Sequence, residues 1–205
     1  MVNRMKNIAV FCSGFGSNLQ AILNAVQRGR IAARINLVLS DRVDAYALVR
    51  ARRAGVAYLF IDPRGYAGRT AYDRAIIKEL KKRQIDYVIL AGYMRLLSPQ
   101  FVRAYRNRIL NIHPALLPSF KGTQGIRDAL QYGVKVTGVT AHLVDENLDN
   151  GPIVLQQAVR VLPDDTQESL AQRIHRAEHR VYPQAIQLLV TGKLVIRGRT
   201  VAPRE

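Results

Sequence analysis

Short apolar segments alternate with amphipathic segments through the first half of the chain, and this alternation restricts the possible folds more than any other feature. The apolar segments have the length and the β-branched or aromatic composition of strands, and they lie at residues 7–12, 35–39, 56–61 and 86–91. Between them, after Ser17 and at residues 44–54 and 70–83, lie segments with the apolar period of a helix. This order predicts right-handed βαβ units, and therefore an α/β protein with a single doubly wound, mostly parallel sheet.

The second half of the chain predicts an antiparallel addition to this sheet. Two further strands are expected at residues 136–144 and 153–162, after a helix at residues 123–132. A long helix at residues 166–190 and a short closing strand at residues 194–197 follow. No internal repeat or low-complexity linker interrupts residues 1–205, so we predict one domain. Residues 2–6 and 203–205 are expected to fray.

The chain is strongly basic, with 31 lysine and arginine residues against 15 aspartate and glutamate residues and a formal net charge of +16. Such a charge is typical of proteins that bind nucleic acids. The basic residues are nevertheless spread over the whole chain, and no basic cluster has aromatic residues between its members. A solvated basic surface that steers anionic ligands is therefore our interpretation, and nucleic acid is not expected as a partner.

Cysteine usage and hydropathy indicate the compartment. Cys12 is the one cysteine, which excludes an intrachain disulfide and a thiolate cluster for zinc. No basic-then-apolar leader opens the sequence, and no apolar run approaches about 18 residues. We expect a cytoplasmic protein that has no membrane segment.

A glycine loop joins the first predicted strand to the first predicted helix, with the sequence Ser13-Gly-Phe-Gly-Ser-Asn18. Glycines let the backbone approach an anion, and the free N–H groups of the first helical turn point towards it. The loop therefore predicts a phosphate site. It is not a dinucleotide fingerprint, because Leu19 replaces the third glycine, and no Gly-Lys-Ser/Thr follows as in a Walker loop. An ordinary turn capped by Ser17 is the alternative.

Asn111 and His113 end an apolar segment, and Pro114 stops the strand there. Residues i and i+2 of a strand project from the same face, so both side chains can enter one cleft. An amide donor beside an imidazole suits a reaction in which negative charge develops on a carbonyl oxygen. The alternative is a capped strand end with a satisfied histidine. Together with the glycine loop and the segment around Met94, this pair is predicted to lie at the carboxyl edge of the sheet, where ligands bind.

An acidic loop with Asp145, Glu146 and Asp149 lies between the two last strands of the predicted sheet. A carboxylate beside an imidazole favours the imidazolium and fixes its tautomer, so Asp149 with His113 would form a proton-transfer pair. A solvated acidic turn is the alternative, because the sequence alone does not place Asp149 next to His113.

The long helix contains His175-Arg-Ala-Glu-His179, which matches the H-x-x-E-H pattern of a zinc protease. The two histidines would share a helix face, but no third ligand follows in the chain. The remaining sequence predicts a parallel sheet with a phosphate loop. We therefore predict no metal site here.

Four stretches together resemble one family. They are Ser13-Gly-Phe-Gly-Ser-Asn-Leu-Gln-Ala-Ile22, Leu90-Ala-Gly-Tyr-Met-Arg-Leu-Leu97, Asn111-Ile-His-Pro-Ala-Leu-Leu-Pro118 and His142-Leu-Val-Asp-Glu-Asn-Leu-Asp-Asn-Gly-Pro152. Over about residues 7–189 the chain is similar to phosphoribosylglycinamide formyltransferases, folate-dependent enzymes of purine (IMP) synthesis. The resemblance implies a Rossmann-like formyltransferase fold. It also implies transfer of the formyl group of 10-formyltetrahydrofolate to the amine of 5-phosphoribosylglycinamide, by direct attack through a tetrahedral intermediate and without a metal.

The resemblance assigns roles to three sets of residues. The implied catalytic residues are Asn111, His113 and Asp149. The implied substrate-binding residues are Gly16, Ser17 and Asn18 for the phosphate and Glu178 for the ribose hydroxyls. The implied formyl-folate pocket contains Arg69, Met94, Arg95, Leu96, Leu97, Asn111, Val144, Asp145 and Asp149. By this resemblance, Asn111 and a protonated His113 would stabilise the oxyanion, with Asp149 keeping His113 charged.

One departure and several alternatives accompany the resemblance. Gln124 stands where many relatives have a histidine, which puts any role of that histidine in doubt. A methionyl-tRNA formyltransferase would share the catalytic core but adds a C-terminal nucleic-acid-binding domain, and a formyltetrahydrofolate hydrolase adds an N-terminal regulatory domain. A basic nucleic-acid-binding module would explain the charge but not the loop or the Asn111/His113 pair. The oligomeric state is left open between a monomer and a homodimer.

Overall fold

Seven strands form one sheet in the spatial order β3-β2-β1-β4-β5-β6-β7 in the computed structural model, which describes residues 4–204. The strands are β1 (Lys6–Phe11), β2 (Ala33–Ser40), β3 (Tyr58–Phe60), β4 (Tyr87–Leu90), β5 (Ile109–His113), β6 (Val136–Leu143) and β7 (Ile153–Arg160). Neighbours from β3 to β5 are parallel, whereas β6 is antiparallel to both β5 and β7. The predicted doubly wound sheet with an antiparallel addition is confirmed.

Helices cover both faces of this sheet. They are α1 (Ser17–Gln27), α2 (Tyr46–Arg53), α3 (Arg69–Lys82), α4 (Pro99–Ala104), α5 (Gly125–Tyr132) and α6 (Gln167–Val190). One core cluster packs the sheet against α1, α2 and α6, and a second packs it against α3 and α4. Successive residues of β1 enter the two clusters in turn, Ile8 the first and Ala9 the second. Burial on both faces explains why these strands are almost wholly apolar.

Three elements were not predicted, and the smallest is a 3-10 turn at Pro63–Gly65. Helix α4 has six residues, which is too short to show a helical period, although Ser98 caps it through the Phe101 N–H and Pro99 begins it. The chain also ends in a separate hairpin, in which β8 (Leu194–Arg197) pairs with β9 (Thr200–Pro203). The predicted closing strand exists but does not join the main sheet.

The predicted fraying of the chain ends is only partly tested. Lys6 begins β1 and Pro203 ends β9, so fraying at these two residues is wrong. Residues 2, 3 and 205 lie outside the described residues. Within residues 4–204, no helix is both long and apolar enough to cross a membrane.

A buried tyrosine hydroxyl of helix α6 is hydrogen-bonded to two neighbouring strands near the carboxyl edge of the sheet. The Tyr182 Oη lies 2.7 Å from the carbonyl oxygen of Leu90, at the end of β4, and 2.9 Å from that of Leu110 in β5. The Tyr182 side chain is fully buried, so these carbonyl groups cannot turn to water instead. The hydroxyl therefore fixes β4 and β5 relative to each other, and the polar segments around Met94 and Asn111 lie at the ends of these two strands.

Gly138 of β6 is expected to tolerate no side chain. A Cβ atom at this position would collide with the backbone oxygen of Gln157 and lie 2.7 Å from the Cδ2 atom of Leu116. We expect Gly138→Ala to lower the free energy of unfolding by about 2 kcal/mol or more, measured by urea denaturation. Gly65→Ala is the matched control, because a Cβ there meets nothing within 4 Å. An equal loss in both variants would contradict the steric explanation.

Candidate active site

Strand β5 projects Ile109, Asn111 and His113 from one face, while Leu110 and Ile112 pack into the first core cluster on the other face. Ile109 is buried in the second core cluster, so the two polar residues lie further along the same face, towards the carboxyl end. The i, i+2 spacing therefore places Asn111 and His113 together as the sequence predicted. What surrounds them decides their chemistry.

His113 is almost completely buried and has an acceptor near each ring nitrogen. Its Nε2 lies 2.8 Å from the carbonyl oxygen of Phe120, and its Nδ1 lies 3.5 Å from the Oδ2 of Asp149. Burial lowers the pKa of His113, and the charge of Asp149 and the contact with Phe120 only partly offset that effect. The neutral imidazole is therefore favoured, which differs from the expectation that Asp149 would keep His113 charged.

Asp149 reaches His113 because of an unusual backbone conformation in the loop after β6. Its φ is +45°, and Gly151 two residues later leaves no room for a Cβ atom against the backbone of Leu143. Burial alone would raise the pKa of Asp149, but the nearby imidazoles of His142 and His113 and the Gly122 N–H, which donates to it at 2.8 Å, lower it. Asp149 is therefore a buried carboxylate that remains ionised.

His142 is a further polar residue in this group, and the sequence did not identify it as a site residue. It lies opposite Asn111 in the β5–β6 ladder and is buried. Its Nδ1 lies 2.9 Å from the Leu143 carbonyl oxygen, so Nδ1 carries the proton and Nε2 accepts from the Asn111 Nδ2 at 3.1 Å. His142 thereby fixes the amide of Asn111. The antiparallel register, which the sequence does not give, was the missing signal.

The glycine loop and α6 meet through two side chains that are 160 residues apart. The Nδ2 of Asn18 donates to the Oε2 of buried Glu178 at 2.9 Å, and that oxygen also lies 2.9 Å from the Nδ1 of His175. The Oδ1 of Asn18 is buried and has no hydrogen-bond partner within the described part of the chain. Gly16, not Ser17, is the N-cap of α1, so the alternative of a turn capped by Ser17 is wrong.

The segment after β4 lies next to this loop. The Met94 N–H donates to the Ser13 Oγ at 2.9 Å, which joins the two segments. Met94 is 66% exposed and Leu96 is 55% exposed, whereas Leu97 packs against the second core cluster. Exposed large apolar side chains at a strand's carboxyl end are suited to contact a planar apolar ligand.

Two of the predicted cofactor residues are arginines near a buried carboxyl group. Arg95 lies with its guanidinium 5.2 Å from the ring centroid of Tyr72. Burial raises the pKa of Asp73, and the charges of Arg69 and Arg95 act in the opposite direction. Both cations therefore lie near Asp73, although Arg69 itself is exposed at the start of α3.

The acidic loop is organised by its own hydrogen bonds. Val144 continues from β6 with its N–H on the Ile109 carbonyl oxygen at 3.0 Å. Asp145 accepts from the Asn147 N–H at 2.9 Å and from the Asn150 Nδ2 at 3.2 Å. Asp145 therefore supports the turn, while Asp149 is the carboxylate that faces the histidines.

Residues 6–186 match the family model described as Formyl transferase. The chain belongs to the formyl transferase family. It is 40% identical over 186 residues to the phosphoribosylglycinamide formyltransferase of Bacillus subtilis, covering 91% of this chain and 95% of that protein. It is 53% identical to the crystal structure of glycinamide ribonucleotide transformylase 1 from Symbiobacterium toebii, with a TM-score of 0.96 and coverage of 98% and 95%. The predicted resemblance to this family is confirmed.

Longer relatives contain this domain as one part. The chain is 45% identical over 195 residues to the trifunctional purine biosynthetic protein adenosine-3 of Drosophila melanogaster. The matched region is 94% of this chain but 14% of the length of that protein. This formyl transferase therefore spans about a seventh of the length of that curated relative.

The sequence also made a prediction about the H-x-x-E-H motif and noted Gln124 as a departure from the family. In the part of the chain that the structure describes, no group of three or more histidine, cysteine, aspartate or glutamate residues is arranged to hold a metal ion. Glu178 of the H-x-x-E-H motif instead contacts Asn18 and His175. Gln124 is exposed just before α5, and its Oε1 accepts from the Arg127 Nη1 at 3.4 Å; among residues 4–204 no side-chain hydrogen bond joins it to His113 or Asp149.

The buried position of His113 gives a prediction for its titration. We expect its imidazole to titrate below the ordinary value of 6.5, and lower still in Asp149→Asn, because the carboxylate that favours the imidazolium is lost. Since the unfolded chain binds this proton more readily, the contribution of His113 to stability is present above pH 6.5 and is lost as the pH falls. Carbon-edited NMR of the imidazole, assigned with His113→Asn, measures the value. A midpoint above 6.5 would contradict the dominance of burial.

Proposed function

We propose that this formyl transferase moves the formyl group of 10-formyltetrahydrofolate to the amine of 5-phosphoribosylglycinamide, giving formylglycinamide ribonucleotide and tetrahydrofolate in de novo purine synthesis. The observation that carries this proposal is the group formed by Asn111, His113 and Asp149 at one end of β5, beside the glycine loop. The names of the Bacillus subtilis and Symbiobacterium toebii relatives support the same substrate.

The acceptor's phosphate and ribose fit the groups around the glycine loop. The backbone N–H groups at the start of α1 suit a phosphate, because they have no partner within the helix and carry its positive dipole. Glu178, which Asn18 holds by a hydrogen bond, is an acceptor, which suits the donor hydroxyls of a ribose. We assign Gly16 and Ser17 to the phosphate, and Asn18 and Glu178 to its junction with the ribose.

The cosubstrate fits the other side of β5. Met94, Leu96 and Leu97 offer apolar surface for its ring system, and the segment from Val144 to Asp149 lies on the opposite side of Asn111. Arg69 and Arg95 bring positive charge to the rim, which suits the carboxylates of a folate. We assign half-buried Asn111 and the carboxylate of Asp149 to the part of this pocket that would hold the formyl group.

The reaction moves charge in two places. As the acceptor amine attacks the formyl carbon, the formyl oxygen gains negative charge, and the Asn111 amide, held by His142, can donate to it. The amine must also lose a proton that finally reaches the leaving folate nitrogen. A neutral His113 can take this proton from the amine and later give it to the folate nitrogen. Asp149 stabilises His113 during the interval in which His113 is protonated. No covalent enzyme intermediate is required.

The basic surface and the shared catalytic core leave three other activities to be tested. A methionyl-tRNA formyltransferase would require an RNA acceptor, a formyltetrahydrofolate hydrolase would require none, and a nucleic-acid-binding module would show steeply salt-dependent binding. The partners of the basic surface, a homodimer and a cytoplasmic location stay predictions.

The direct test follows the loss of 10-formyltetrahydrofolate by purified protein with four additions. These are phosphoribosylglycinamide, buffer alone, initiator methionyl-tRNA and unrelated RNA. Of these four conditions, we expect loss of 10-formyltetrahydrofolate only where phosphoribosylglycinamide is present. Loss of formyl-folate in buffer would indicate a hydrolase, and turnover with the tRNA would indicate that the charge serves an RNA acceptor.

Asp149→Asn tests the catalytic assignment. We expect kcat to fall by about 100-fold or more, because the variant removes the charge that stabilises the protonated His113. Asp164→Asn is the control, since Asp164 is exposed and lies in the turn before α6. Equal turnover in Asp149→Asn and the wild type would remove Asp149 from the mechanism without changing the substrate assignment.

A further inference from the structure

Helix α2 packs directly behind the glycine loop and holds its backbone at two successive carbonyl groups. The Ala47 N–H donates to the Gly14 oxygen at 3.1 Å, and the Arg50 Nε–H donates to the Phe15 oxygen at 2.9 Å. A Cβ atom on Gly16, whose φ is +74°, would lie 2.9 Å from the Cβ of Ala47. The loop and the helix are therefore as close as a residue without a side chain allows.

These two hydrogen bonds decide where the loop's N–H groups point. The carbonyl and the N–H of a trans peptide unit point in opposite directions. Because the oxygens of Gly14 and Phe15 are bound on the α2 side, the N–H groups of Phe15 and Gly16 point away from α2. Neither of these N–H groups has an acceptor among residues 4–204, so both are available to an anion.

The Arg50 side chain is itself fixed in place. Its guanidinium lies 4.5 Å from the ring centroid of Phe15 and 4.9 Å from that of Tyr46, and the two rings are stacked on each other. A second nitrogen, Nη1, donates to the Oε1 of Gln20 in α1 at 3.0 Å. Arg50 therefore joins the loop, α1 and α2, and its flat guanidinium is suited to this combination of stacking and directed donation.

We propose that Arg50 is a positioning residue that sets the affinity of this loop for the acceptor's phosphate. It acts by holding the Phe15–Gly16 peptide with its N–H towards the anion, and it does not touch the reacting atoms. This inference rests on the proposed function, which assigns the loop to the phosphate. No role follows for Arg50 in binding the folate or in proton transfer.

Arg53 provides a matched control on the same helix. Its guanidinium lies 5.9 Å from the Tyr46 ring centroid, and its Nη1 donates to the Tyr46 hydroxyl at 3.0 Å. It has the same charge as Arg50 and contacts the same ring, but no hydrogen bond joins it to the loop within the described residues. Comparing Arg50→Gln with Arg53→Gln therefore separates the hydrogen bond to the loop from the loss of one positive charge.

The kinetic test uses two acceptors, phosphoribosylglycinamide and its unphosphorylated riboside. In Arg50→Gln we expect KM for the phosphorylated acceptor to rise by about tenfold, the effect of one hydrogen bond made by a charged group, with kcat unchanged. We expect no change in KM for the folate, in kcat/KM for the riboside, or in any constant of Arg53→Gln. Arg50→Lys keeps the charge without the planar fork and should remain impaired. Equal losses with both acceptors, or wild-type kinetics in Arg50→Gln, would overturn the proposal.

A binding test keeps this inference separate from the proposed function. Calorimetric titration of inorganic phosphate into the full-length protein at low salt needs no turnover. We expect Arg50→Gln to bind phosphate about tenfold more weakly than the wild type and Arg53→Gln. If no acceptor is formylated but this difference persists, the proposed function fails and the role of Arg50 stands. If both variants bind phosphate equally, or the wild type binds none, the role of Arg50 is wrong.

Discussion

The antiparallel pairing of β6 with β5 is the constraint on which the whole site depends. Its register sets His142 opposite Asn111, and the loop that follows β6 brings Asp149 back to His113. A parallel strand in this position would need a long crossover and could not place a loop over the same face of β5. The antiparallel direction of β6 therefore joins two polar residues at the end of β5 to two more, which gives a connected group of four.

This group is stable because each buried charge or dipole has a partner. Asp149 would be costly to bury alone, but the Gly122 N–H donates to it, and a protonated His113 at 3.5 Å would match its charge. Burial lowers the pKa of His113 by more than the attraction of a single carboxylate raises it. In the proposed reaction the carboxylate is consequently most useful when a proton arrives on His113, because its electrostatic stabilisation then grows as the reaction proceeds.

The fold could largely be predicted from the sequence, whereas the site could be predicted only in part. Strands and helices with clear periods were found, and Asn111 and His113 followed from their i, i+2 spacing. Asp149 could not be placed, because its contact depends on register and on a positive φ that no local pattern indicates. His142 was missed because a single histidine within an apolar strand resembles a core residue. Glu178 matched a metal motif, and the family resemblance, not a local pattern, assigned it to the substrate; its contact with distant Asn18 depends on the tertiary fold.

The strong positive charge and the neutral glycine loop serve different purposes. Both proposed substrates are anionic, so a basic surface raises their local concentration without specifying where the phosphate binds. In the proposed function, the loop specifies that position with backbone N–H groups, whose direction is fixed by hydrogen bonds on the far side of each peptide. Arg50 belongs to this second kind of contribution, because its guanidinium is directed at a carbonyl oxygen behind the loop. Removing many surface arginines together should therefore slow the capture of anions, whereas removing Arg50 alone should weaken their retention.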